Sequence, residues 1–108
     1  MKLPNISEDI DYKHGKNSQQ NTLLIQISNE KDMWFHIENS PSAHIVVSIP
    51  ETLNKKQKNT VIKWGAMLCK QRSKITSKCT VMYTQIKYVH CTSVPGTVNV
   101  DKYSSLYI

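Results

Sequence analysis

Only one of the fourteen basic residues is an arginine, Arg72. That scarcity removes nearly all capacity for the bidentate guanidinium forks that read guanine edges or clamp phosphates. No stretch approaches the roughly 20 consecutive apolar residues of a membrane span, and residues 1–10 lack the apolar core of a secretory signal. The expectation is a soluble, cytoplasmic protein with no membrane association. The three cysteines, Cys69, Cys79 and Cys91, stand ten and twelve residues apart, which matches neither a C-x-x-C element nor an even disulfide framework. Reduced thiols that serve packing follow. Aromatics are few, at 7%, yet 39% hydrophobic and 20% charged residues describe a chain that folds. A nucleophile–base–acid set, a paired carboxylate, a Walker loop and a Rossmann fingerprint are all lacking. The chain is therefore read as a non-enzyme without cofactors.

What is present is lysine. Thirteen lysines and Arg72 against eight acidic residues give a net charge of +6 on 108 residues. In one domain of this size such a charge favours phosphate backbones or anionic surfaces, contacted by point charges rather than forks. Lys, Asn and Ile are abundant together, so part of the Lys/Arg skew reflects composition alone.

The pattern predicts an α+β fold, a single domain with a mostly antiparallel or mixed sheet, one short helix and one longer one. Residues 1–8 read as a loose arm or an edge segment, and 9–108 as the domain. Residues 9–14 suit an edge strand, followed by a turn at Gly15-Lys16-Asn17-Ser18 in which Ser18 is placed to cap a helix. Residues 19–29 carry Leu23, Leu24 and Ile27 as a short apolar stripe, with a strand as the competing reading because Ile25 and Ile27 are β-branched. Residues 33–37 and 43–49 read as two central antiparallel strands around a hairpin loop. Over residues 58–72, Val61, Trp64, Gly65, Leu68 and Cys69 recur at helical spacing, and the outward face, with Lys63, Lys70 and Lys74, is either a solvated face or part of the binding footprint. Residues 78–83 and 85–89 read as strands, and the Pro95-Gly96 turn introduces short strands at 98–100 and 106–108.

Three groups of residues are candidates for chemistry. A glycine turn feeding a helix N-terminus offers backbone N–H groups to an anion, with Lys16, Asn17, Gln20 and Asn21 around it as donors; helix capping alone also accounts for part of this set. His36 and His44 lie on neighbouring strands. They share a face only if the register allows it, and serve equally well as satisfied structural residues or as ligand contacts. A metal centre wants three or four ligands, and the remaining candidates, His14, His90 and the cysteines, lack motif spacing, so no metal is expected. Lys87 lies among Tyr83, Gln85 and Tyr88, the interleaving of cation and aromatic found on single-stranded nucleic-acid surfaces.

Taken in order, Gly15-Lys16-Asn17, Gln20-Asn21, Asp32-Met33-Trp34-Phe35-His36, Pro41-Ser42-Ala43-His44-Ile45-Val46-Val47, Ser73-Lys74, Val81-Met82-Tyr83-Thr84, Val89 and Pro95-Gly96-Thr97-Val98 resemble the NFACT-R domain over residues 9–108. The sequence departs from that pattern at Thr22, where an acidic residue is usual, at Ser42, where glycine is common, and at Ser48, where a basic residue is common. The resemblance implies an RNA-binding α+β module, which in larger members works beside other domains on transfer RNA and the large ribosomal subunit. A chain of this length is expected to supply the terminal domain alone and not the tailing activity of the larger proteins.

The function expected is thus a non-enzymatic RNA-binding module for tRNA or rRNA. Lys16, Lys78 and Lys87 would contact phosphates, and Asn17, Gln20, Asn21, His36 and His44 would supply polar readout. The alternative is a protein-interaction module docking on a ribosome-associated or other protein partner. A hydrolase built on His36 and His44 with a metal is a third and weaker reading.

Overall fold

A computed structural model describes residues 2–108. The chain runs β1 (Asp11–Gly15), α1 (Ser18–Ile27), β2 (Met33–Ile37), β3 (His44–Ser48), α2 (Lys55–Arg72), β4 (Thr80–Gln85), a 3-10 turn (Ile86–Tyr88), β5 (Val89–Cys91), β6 (Val98–Val100) and β7 (Ser104–Tyr107). The predicted hairpin sets Trp34 opposite Val46 and Phe35 opposite Ile45. Antiparallel neighbours extend it on both sides into a five-stranded sheet of order β1-β3-β2-β4-β7, with β5 and β6 as a separate pair. No helix among the described residues is long and apolar enough to cross a membrane.

Alternation along β2 divides the core into two layers. Phe35 and Ile37, with Ile45, Val47 and Val81, face α2 and pack on Val61, Ala66, Leu68 and Cys69. Full burial of such side chains stabilises by about 1.5–3 kcal/mol each. Gly65 is required here, because a Cβ on it would lie 2.5 Å from the Phe35 ring. The opposite face presents Trp34 and Val46 to Leu24 and Ile25 of α1 and to Ile86 and Val89.

Several expectations need correction. Asn17 rather than Ser18 caps α1, its Oδ1 accepting from the Gln20 N–H at 2.9 Å. The buried face of α1 is Asn21, Leu24 and Ile25, whereas Leu23 and Ile27 stand 54% and 58% exposed. α2 starts at Lys55 because Asn54 and Gln57 form a reciprocal capping box, a signal that outweighs the lack of apolar residues in the first turn. Residues 86–88 leave the sheet as a 3-10 turn, since the Ile86 and Lys87 N–H groups donate to Asp32 O and Glu30 O in the α1–β2 loop. The last strand lies at Ser104–Tyr107. The N-terminal segment expected as a loose arm lies against the core, with Ile6 buried and Leu3 beside it.

The cysteines are free thiols, as their spacing suggested. Burial pushes the Cys69 thiol up to about 12, so it stays protonated and acts as a packing group.

Candidate nucleic-acid interface

Antiparallel pairing fixes which segments meet at each end of the sheet. Gly15 pairs with His44, and Ile37 pairs with Val81, so the end of β1, the β2–β3 loop and the start of β4 lie at one end. The C-terminus of α2 reaches the same end, where Ser73 Oγ accepts from the Ala43 N–H at 3.1 Å. The result is an open cleft of about 420 Å3 lined by His14, Gly15, Lys16, Asn17, Ser18, Asn21, Ser42, Ala43, Arg72 and Lys74. Segments far apart in sequence therefore place three cations, Lys16, Arg72 and Lys74, around the N-terminus of α1.

Each wall has a local cause. Gln20 Oε1 accepts from the Lys16 N–H at 2.9 Å and Asn17 Oδ1 accepts from the Gln20 N–H, which fixes the first turn of α1. These carbonyl oxygens are committed to capping, while the amide nitrogens of Asn17 and Gln20 make no hydrogen bond among the described residues. Asn21 is only 9% exposed, and its Oδ1 has no partner among the described residues. It occupies the space Gly15 leaves open: a Cβ on Gly15 would lie 2.0 Å from that oxygen. An unpaired buried carbonyl costs about 1–3 kcal/mol, so this arrangement is not one that stability alone favours.

α2 ends in a Schellman arrangement, with the Ile75 N–H on Lys70 O at 3.3 Å and the Lys74 N–H on Gln71 O at 3.0 Å. Lys74 takes φ 59°, the left-handed position where glycine is usual. Lys74→Gly is therefore expected to leave stability unchanged or raise it by up to about 1 kcal/mol. The same change should weaken binding of a polyanion, which parallel melting and binding measurements would check.

The electrostatics agree with the geometry. Burial, then the Arg72 and Lys16 charges, hold the His14 imidazole below its ordinary value. Arg72 is steadied by a 3.4 Å hydrogen bond from its guanidinium to the Tyr12 hydroxyl. The acidic side chains Glu8, Asp11, Glu30, Asp32 and Glu51 belong to segments at the other end of the strands. Most carboxylates thus lie away from the cleft.

His36 and His44 share a face, with ring centroids 4.7 Å apart. His44 is 2% exposed, and its Nδ1 accepts from Trp34 Nε1–H at 3.2 Å. Burial, followed by the proximity of His36, pushes it down to about 4, so it is neutral at pH 7. His36 is half-buried, donates from Nδ1 to Ile37 O at 2.6 Å, stacks on Trp34, and is also held below its ordinary value, chiefly by burial. His44 therefore belongs to the packing under α1, and only His36 retains access to solvent. No group of three or more metal-ligating side chains is gathered among the described residues.

Lys78 lies two residues before β4, its Nζ 5.7 Å from the centre of the Tyr107 ring on the outer strand. That is the same end of the sheet as the cleft but several strands away from it. Lys87 lies on the 3-10 turn after β4, at the opposite end. The structure thus brings Lys16, Asn17 and Asn21 together with Gln20 beside them, and leaves Lys87 apart. The sequence alone marks Arg72 only as a lone guanidinium, and leaves Lys74 on an outward face that is either solvated or part of the binding footprint.

The sequence pattern of the NFACT protein RNA binding domain matches residues 7–102. The chain belongs to that family. Among solved structures, the C-terminal region of the fibronectin/fibrinogen-binding protein from Streptococcus suis is similar, with a TM-score of 0.75 and 23% identity, covering 92% of this chain. This chain covers only 40% of that one, and the likeness shows the shared fold. No curated protein matches the chain.

Placed on the fold, four pieces of the NFACT-R pattern meet at the N-terminus of α1: residues 15–21, residues 42–44, Ser73-Lys74 and the Pro95-Gly96-Thr97 turn. Gly96, at φ 82°, packs on Ser18, and its N–H donates to Thr22 Oγ1 at 2.8 Å. Thr22 thereby supplies an oxygen acceptor at a position where the family usually has an acid. Ser42 closes the hairpin loop by accepting from the Ile37 N–H at 3.0 Å. Ser48 lies at the far end of β3, opposite Asp11, so the missing basic residue there is remote from the cleft.

Proposed function

We propose that the chain is a non-catalytic RNA-binding module of the cytoplasm whose positively charged end receives the phosphate backbone of a structured RNA, tRNA or rRNA being the favoured class. The observation that carries this reading is the convergence of Lys16, Arg72 and Lys74 around the N-terminus of α1. An anion there meets three ammonium or guanidinium charges, the positive end of the helix dipole and the amide groups of Asn17 and Asn21. The family match supports RNA as the anion. With a single arginine and exposed lysines, recognition rests on the spacing of phosphates rather than on base identity.

Titrating the chain with tRNA and with an rRNA fragment tests the reading. Affinity is expected to fall by at least tenfold between ~50 and ~200 mM salt, because each phosphate neutralised releases a bound counterion. Binding that is flat across that range would remove the backbone contacts this proposal requires.

A protein-docking role is a second reading, favoured by the exposed Leu23 and Ile27 on the outer side of α1. It predicts a partner that stays bound after nuclease treatment and is lost on Leu23→Ser with Ile27→Ser.

A further inference from the structure

At the other end of the strands lies a second cleft of about 340 Å3, formed where the 3-10 turn and the β6–β7 connection meet the edge of the sheet. Its size falls at the lower end of the range occupied by sites for small ligands. Tyr83, Tyr88 and Tyr103 line it, together with Met33, Lys102 and the polar groups of Thr84, Gln85 and Ser104. Tyr83 is held by stacking on Phe35, with centroids 6.0 Å apart, while Tyr103 is 48% exposed.

Two ammonium groups from separate segments reach the Tyr88 ring, Lys102 lining the cleft and Lys87 standing outside its wall. Lys102 Nζ lies 4.5 Å and Lys87 Nζ 5.1 Å from the centre of the Tyr88 ring, both within cation–π reach. The neighbouring carboxylate, Asp101, is engaged elsewhere, with its Oδ2 2.8 Å from His90 Nε2. The Tyr88 phenol is held below its ordinary value, first by its hydrogen bond with Lys102, which is the mark of a local positive field. An ammonium group in a cleft walled by aromatic rings, with a second one near its Tyr88 wall, fits a ligand that joins an anion to a flat ring.

We propose that this cleft is a subsite for one unpaired nucleotide, its phosphate at Lys102, with the Lys87 charge adding to the field nearby, and its base against Tyr103. The proposal rests on the RNA-binding reading above and adds a second contact to it. A base within a duplex has its faces covered by its neighbours, so only an unpaired nucleotide can offer one to tyrosine. The two clefts lie at opposite ends of five-residue strands, about 17 Å apart along the strand direction. A single RNA therefore reaches both when a paired region at the first is continued by an unpaired strand toward the second.

The test compares a blunt RNA hairpin with the same hairpin carrying a single-stranded extension, titrated with the full chain. The extension is expected to tighten binding about tenfold, the typical effect of one stacked base. Tyr103→Ala should abolish that gain, Tyr103→Phe should keep it, and both variants should bind the blunt hairpin as the parent does. Lys87→Gln with Lys102→Gln should also reduce the gain. If the extension gives the parent no advantage, or the advantage survives Tyr103→Ala, the subsite is refuted while binding of the blunt hairpin leaves the first cleft in place. If neither RNA binds, the RNA-binding reading fails and the subsite fails with it.

Discussion

Replacing Lys16, Arg72 and Lys74 together by glutamine is expected to make RNA affinity at low salt fall by one to two orders of magnitude while the fold stays intact. Each of these side chains lines the cleft at the N-terminus of α1, and none is part of the buried core. Their removal should lower the slope of log affinity against log salt by about 2–3, because each phosphate contact contributes roughly 0.7–0.9. The parent should therefore lose roughly 20- to 40-fold more affinity than the variant between ~50 and ~200 mM salt. Lys63→Gln, on the outer face of α2, serves as a control, with an expected change below twofold at ~200 mM salt where surface charges are screened. Equal affinity and equal salt slope in parent and triple variant would place the RNA elsewhere on the molecule.

Acid should destabilise the fold through the buried imidazoles. His44 falls from an ordinary 6.5 to about 4 on folding, so the unfolded chain takes up its proton first. The stability it contributes is fully present above pH ~6.5 and is lost progressively as pH falls toward 4. At pH ~5 the loss from His44 alone is about 2 kcal/mol relative to pH ~7.5. His36, also held low by burial, acts in the same direction. Urea titrations at the two pH values should show this difference in the parent, and His44→Gln should reduce it at the cost of lower stability at neutral pH. An unchanged pH dependence in that variant would locate the acid-sensitive group elsewhere.

The central hairpin and α2 were legible in the sequence because each has one strong, local cause. Met33, Phe35 and Ile37 alternate with Trp34 and His36, and Val61, Gly65, Leu68 and Cys69 keep a helical period. Where two local signals compete, the sequence does not decide between them. Ser18 and Asn17 are both good caps, and only the geometry of the turn after Gly15 decides between them. The apolar residues of α1 outnumber the positions the sheet can cover, so Leu23 looked like core and is not. Ile86 was taken into a strand because nothing local reveals that Asp32 O would accept its N–H.

The candidate site divides in the same way. The Gly15–Asn21 segment was legible because a tight turn entering a helix is a local anion-binding device. Arg72 and Lys74 were not, because they reach the cleft only through the packing of α2 on the sheet and the contact between Ser73 and Ala43. The roles of His44 and Lys87 depended on register and on a turn after β4, which no single-segment pattern encodes.

The uneven placement of carboxylates also has a kinetic meaning. Most carboxylates lie toward one tip, where they offset lysines such as Lys31. An excess of cations remains at the tip that holds Lys16, Arg72 and Lys74, so the domain carries a permanent dipole moment. In the field of a polyanion that dipole rotates the molecule before any contact forms, so a larger share of encounters arrive correctly oriented. Ionic strength would then act on the on-rate as well as on the lifetime of the complex.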